Sequence, residues 1–205
     1  NLKKGDVIAG ATVVVEENPG NNGVYASVAQ IAGIKAAAGS VSYTAIKGAA
    51  DVLLTDVGAD NHLQGKKAII DQSAAGNTDY PTITELQGIL ASGKAASAVY
   101  TDIIGTAVQL ETDSKLNSKA GDLITNKKIR FNAGQVPTID QLIAINNAKG
   151  TGSLHHVAVE GDATDLAANL TLIDQKKVKI LENVGSNGDY ANIDEYVKIT
   201  GKLAA

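Results

Sequence analysis

The chain has no cysteine, no methionine, no tryptophan, a single phenylalanine and three prolines in 205 residues. The missing cysteine excludes disulfides and thiolate chemistry, although it leaves the compartment open. With aromatics at 3%, the core must come from Ala, Val, Ile and Leu with a few Tyr. Small aliphatic residues pack in thin, regular layers, which suits a repeat protein better than one large irregular core. No apolar run approaches the roughly 18–20 residues that span a bilayer, and no stretch reads as a signal peptide. The phosphate-cradling patterns Gly-x-x-x-x-Gly-Lys-Ser/Thr and Gly-x-Gly-x-x-Gly are missing, as is the nucleophile elbow Gly-x-Ser-x-Gly. Eighteen basic residues face twenty-two acidic ones, a net charge of −4. That surface has no basic field to attract a phosphate backbone, so nucleic acid is a poor candidate partner.

What is present is a repeat. Four segments align: Ser27-Val-Ala-Gln-Ile-Ala-Gly-Ile34, Thr82-Ile-Thr-Glu-Leu-Gln-Gly-Ile89, Thr138-Ile-Asp-Gln-Leu-Ile-Ala-Ile145 and Asn192-Ile-Asp-Glu-Tyr-Val-Lys-Ile199. Their starts lie 55, 56 and 54 residues apart. Each opens on a good N-cap, followed three residues later by Gln30, Glu85, Gln141 or Glu195, which can return a hydrogen bond to the cap's own N–H. That is a capping box, and apolar residues at the first, fourth and seventh helical positions make a stripe for burial. Pro81 and Pro137 stiffen the entry without costing a helical hydrogen bond. These helices should end near Gly39, Gly93, Gly150 and Gly201.

A β-prone run follows each of the first three helices: Val41–Ile46, Val99–Ile103 and Leu154–Val159. Each reaches a glycine (Gly48, Gly105, Gly161) and then a short helical stretch, at Ala49–Leu54, Thr106–Leu110 and Asp162–Leu170. A second strand precedes each capping box, at Thr12–Glu16, Ala68–Asp71, Lys128–Asn132 and Lys177–Leu181. The unit is therefore strand–loop–helix–strand–turn–helix, made of two half-coils of similar length. Coils of this size cannot bury their apolar stripes alone, but stacked they share a core. The expected architecture is an α/β repeat solenoid with parallel strands, in one array with repeats at about 12–67, 68–127, 128–176 and 177–205, the last truncated. A compact doubly wound α/β sheet is the alternative, since alternating β and α elements allow it too. Because the chain opens on Asn1 and stops inside a capped helix, it is expected to be a piece of a longer array.

The pattern Pro-Thr-Ile-x-x-Leu-x-x-Ile … Tyr-Thr-x-Ile-x-Gly/Asp-x-Ala-x-x-Leu resembles Ala/Thr-rich repeats of very long secreted or cell-surface bacterial proteins. These are adhesin-like or associated with hemolysin-type secretion. Thr82–Leu110 and Thr138–Leu166 match best, and the likeness runs over nearly the whole chain. It implies an extracellular or cell-surface structural segment: an adhesin stalk, a spacer or a surface-layer-like module, with other repeats of the same parent protein as its partners. It assigns no binding residue, and the Gly-Gly-x-Gly-x-Asp nonapeptides that bind calcium are missing.

Candidate chemistry is sparse. His155 and His156 are adjacent in a strand and so point to opposite faces, with one of them in the slot held by Tyr43 and Tyr100 in the other repeats. His62 reads as an isolated, solvated loop residue. Glu85 and Glu195 recur with the repeat, which marks them as caps; a catalytic acid would more readily appear once. No catalytic residue is singled out, and the expected function is non-enzymatic, an enzyme or toxin segment ranking last. Asp56, Asp60, Asp71, Asp79 and Asp113 could give oxygen ligands to Ca²⁺, although loop Asp is more often a turn former and no cofactor is assigned. The best binding candidates are the polar loops before the caps: Asn21, Asn22 and Tyr25, then Asn77, Asp79 and Tyr80, then Asn187, Asp189 and Tyr190. Tyr beside Asn and Asp suits a glycan or protein ligand, whereas in the plainer reading Tyr plugs the core and Asn makes the turn.

Overall fold

The computed structural model describes residues 7–17, 24–72, 80–91, 93–181 and 190–203. The chain is mixed α/β and divides into two compact units, Asn1–Thr101 and Asp102–Ala205. In chain order the first unit holds β1 (Thr12–Val14), α1 (Val28–Ala37), β2 (Ser40–Ser42), β3 (Ala45–Gly48), α2 (Ala50–Gly58), β4 (Lys67–Ile70), α3 (Ile83–Ile89) and β5 (Ser97–Val99). The second holds β6 (Asp102–Gly105), α4 (Ala107–Ser114), β7 (Lys128–Phe131), α5 (Ile139–Ala148), β8 (Ser153–His155), β9 (Ala158–Gly161), α6 (Ala163–Ala168), α7 (Leu170–Ile173), β10 (Lys177–Ile180) and α8 (Ile193–Thr200). All pairings between these strands are parallel.

Each run read from sequence as one strand is two. In the first unit β2 pairs with β1, Val41 opposite Val13, whereas β3 pairs with β4, Ile46 opposite Ala68. In the second, β8 pairs with β7 and β9 with β10. The chain bends between the halves and passes from one neighbour to the next. At the first bend Tyr43 is buried and its hydroxyl donates to the His62 carbonyl at 2.7 Å. The Thr44 and Ala45 N–H groups are taken by the Glu17 carboxylate, at 2.7 and 3.0 Å, instead of by a ladder. The same clip recurs at Tyr100-Thr101, where Gln72 Oε1 accepts from the Thr101 N–H at 2.7 Å and from its hydroxyl at 3.0 Å. In the third repeat the bend is His156-Val157, and the residue at the Glu17 and Gln72 position is Ala133. A valine offers no hydroxyl to a clip, and the alanine supplies none.

Four capping boxes form as the sequence predicts, at Ser27/Gln30, Thr82/Glu85, Thr138/Gln141 and Asn192/Glu195. A fifth, Thr106/Gln109, opens α4, and Asp162 caps α6 by accepting from the Asp165 N–H. In α3 and α5 the apolar stripe is buried whole: Ile83, Leu86 and Ile89 in the first, and Ile139, Leu142 and Ile145 in the second. Full burial of each such side chain stabilises by about 2 kcal/mol. In the second unit Ile139, Leu142, Val159, Ala163, Leu166, Ile173 and Ile199 form one cluster. The stripe is covered less at α8, where Ile193 is 82% exposed and only Ile199 is buried.

The turn before each short strand also repeats. Gly65, Asn126 and Gln175 take φ of 66°, 63° and 56°, and each is followed by a Lys-Lys pair. Their N–H groups donate to the carbonyls of Lys94, Lys149 and Lys202 respectively. The left-handed turn thus pins the entry of the short strand to the end of the following helix.

Candidate functional site

Of the nine loop residues with binding chemistry, Asn21, Asn22, Asn77, Asp79, Asn187 and Asp189 lie outside the described residues. The three tyrosines sit two residues before their caps. Tyr25 and Tyr80 are half-buried, and Tyr190 is 59% exposed. Tyr25 lines an apolar groove of about 650 Å³, whose wall is one face of α1 (Ala29, Gln30, Gly33, Ile34, Ala37) with Val15, Val24 and Ile8 opposite. Small residues on that helix face leave the volume open. Its lining is mostly hydrocarbon, so it fits an apolar side chain better than a charged ligand.

Buried polar residues gather at the C-terminal ends of α2 and α4. The expectation that His62 is solvated is overturned: it is 7% exposed, and its Nδ1 lies 2.5 Å from Oδ1 of buried Asp56. Asp56 Oδ2 also accepts from the Leu63 N–H at 3.3 Å. The sequence hid this because a histidine six residues past an aspartate has no helical register with it; only the turn at Asn61, with φ of 49°, folds it back. Asp113 holds the equivalent place in the next repeat, where its Oδ2 accepts from the Leu123 N–H at 3.0 Å. Its Oδ1 is buried with no hydrogen-bond partner, because Asp122 stands where His62 would and cannot donate when ionised. Burial pushes the Asp113 carboxyl up, helped by the charge of Asp122 and opposed by the N–H groups of Leu123 and Ile124. Burial works upward on Asp122 too, but the Thr125 hydroxyl and the N–H groups of Ser118, Thr125 and Ile124 outweigh it and hold its carboxyl low.

His155 and His156 do face opposite ways. His155 is exposed beside Ser153, and His156 takes the Tyr slot, its Nε2 2.7 Å from the Leu172 carbonyl. Lys66 stands 5.1 Å from the Tyr43 ring centre, and Lys176 holds the corresponding place near His156. Burial pushes the His156 imidazole below its ordinary value, with the charges of Lys176 and His155 adding and the Leu172 hydrogen bond opposing.

The remaining candidate calcium ligands are dispersed. Asp60 is exposed, Asp71 pairs with Lys47 at 3.4 Å, and Asp79 lies outside the described residues. Among the described residues no three His, Asp or Glu side chains gather as a metal site would need. No described helix is long and apolar enough to cross a membrane. No protein-family model, curated protein or solved structure matches the chain.

Proposed function

We propose that the chain is a structural and interaction segment, a solenoid of stacked strand–helix coils serving as spacer, stalk or surface-layer-like module of a larger extracellular bacterial protein. The observation that carries the reading is how the polar side chains are used. Glu17, Gln72, Asp56, Asp113, Glu85, Gln141 and Glu195 all accept backbone N–H groups at bends, turns and caps, at matching positions from repeat to repeat. Groups spent on holding coils in register are not free for acid–base chemistry. The resemblance to Ala/Thr-rich surface repeats supports the extracellular setting, and the partners are other repeats of the parent protein.

A second reading is favoured by the exposure of Tyr190 beside Tyr196 and Ile193: a module that recognises glycan or protein through its loops. Small-angle X-ray scattering with and without calcium tests the first. A compact domain of this length has a radius of gyration of roughly 17 Å. The solenoid predicts a clearly larger value, a rod-like distance distribution and no response to calcium. A compact particle would overturn it.

A further inference from the structure

Three helix pairs stack in the same way inside the two units. In α2–α3, Leu54 lies so close over Gly88 that a Cβ there would sit 2.4 Å from Leu54 Cδ1. In α4–α5, Gln141 Nε2 donates to Glu111 Oε2 at 3.2 Å, and in α6–α8 the Thr164 hydroxyl donates to Glu195 Oε1 at 2.9 Å. The capping-box residue in α5 and α8, and the position three further on in α3, thus face the partner helix, α4, α6 and α2 respectively. Counted from the caps, Gln30 matches Gln141 and Glu195, and Gly33 matches Gly88. α1 therefore carries the same receiving face, and there it borders the open groove: a Cβ added at Gly33 meets nothing within 4 Å. Glycine is the poorest helix former apart from proline, so an exposed glycine at mid-helix lowers the stability of α1 and returns nothing to it locally.

We propose that this groove seats a further strand–helix coil of the same repeat, carried by the same polypeptide ahead of β1, which lays a branched aliphatic side chain over Gly33 as Leu54 lies over Gly88. The inference rests on the stacked-coil reading above. A second copy of the chain is the weaker occupant, because its own helices α2, α4 and α6 are already seated on α3, α5 and α8. The groove continues an interface that the chain builds three times, and it takes the same class of knob.

The test exploits the absence of cysteine. Gly33→Cys gives a single thiol, whose alkylation rate is measured in the full chain and in a variant with Ser40–Lys66 copied directly ahead of Thr12, the residue equivalent to Lys67. The expected result is rapid labelling in the chain as it stands and at least tenfold slower labelling in the extended one. Gly33→Leu should leave the melting midpoint of the original chain unchanged or higher, yet lower that of the extended chain. Equal labelling rates, or equal tolerance of Gly33→Leu, would overturn the assignment. If the extended variant fails to fold, sedimentation of the original chain decides. Concentration-dependent self-association abolished by Gly33→Leu would give the groove to a second copy, and slow labelling of a monomer would give it to the chain's own residues; both overturn the proposal. A monomer with a freely labelled Gly33→Cys upholds the vacancy. Scattering reads the overall shape separately, so a compact particle whose Gly33→Cys is protected only in the extended variant would sink the extended array and leave the docking intact.

Discussion

Nδ1 of His62 lies 2.5 Å from Oδ1 of Asp56, while the matching oxygen of Asp113, one repeat later, is buried without a partner. The same helix end is thus satisfied in α2 and frustrated in α4. His62→Ala leaves a buried carboxylate oxygen unpaired, and should cost about 2 kcal/mol in urea unfolding at neutral pH.

Asp113→Asn should do the reverse. The Asp113 carboxyl is raised above its ordinary 3.8, so the folded chain binds a proton more tightly than the unfolded chain there. Its ionised form is a penalty that is fully present above the folded pKa and relieved as pH falls through it towards 3.8. The amide keeps the acceptor for Leu123 and removes the charge. The variant should be more stable at pH 7, by an amount on the order of 1 kcal/mol, and the advantage should shrink in acid.

The His156 imidazole is lowered from 6.5, so the unfolded chain takes up the proton first. Stability is therefore undiminished by this group above 6.5 and falls as pH drops below it towards the folded pKa. His156→Tyr restores the residue found at positions 43 and 100. Melting temperatures from pH 8 to pH 5 should fall less steeply in this variant than in the parent, while the midpoints near pH 8 stay close.

Gln175 adopts φ of 56°, where Gly65 stands in an earlier repeat. An L side chain in the left-handed region costs roughly 1–2 kcal/mol, and glycine escapes this. Gln175→Gly should stabilise the chain by about 1 kcal/mol in denaturant unfolding, whereas Gly65→Gln should destabilise it by a similar amount.

The parts of this fold legible in the sequence are those written in local chemistry. Four N-caps with Gln or Glu three residues on announced α1, α3, α5 and α8, and their stripes announced which faces are buried. The α/β class with parallel strands followed from the order of the elements. The bends were not legible, since Val41–Ile46 looks uniformly β-prone; the break at Tyr43 depends on Glu17, far back in the chain. For the same reason His62 was misplaced: its partner is set by a loop fold and not by a periodicity. Of the loop row proposed for binding, only the tyrosines are described, and Tyr25 proves to line a groove that the sequence did not announce.

The most direct test of the central claim, that the coils are interchangeable stacking units, is the removal of one whole period. Deleting Lys67–Lys127 joins Lys66 to Lys128, the residue equivalent to Lys67, and leaves Leu54 to meet Ala144 where it met Gly88. Circular dichroism during thermal unfolding is the measurement. A solenoid predicts a shortened chain with the same helix content per residue and a single cooperative transition at a lower midpoint. An unfolded or aggregated product would show that the two units depend on contacts a repeat cannot replace, and would contradict the account.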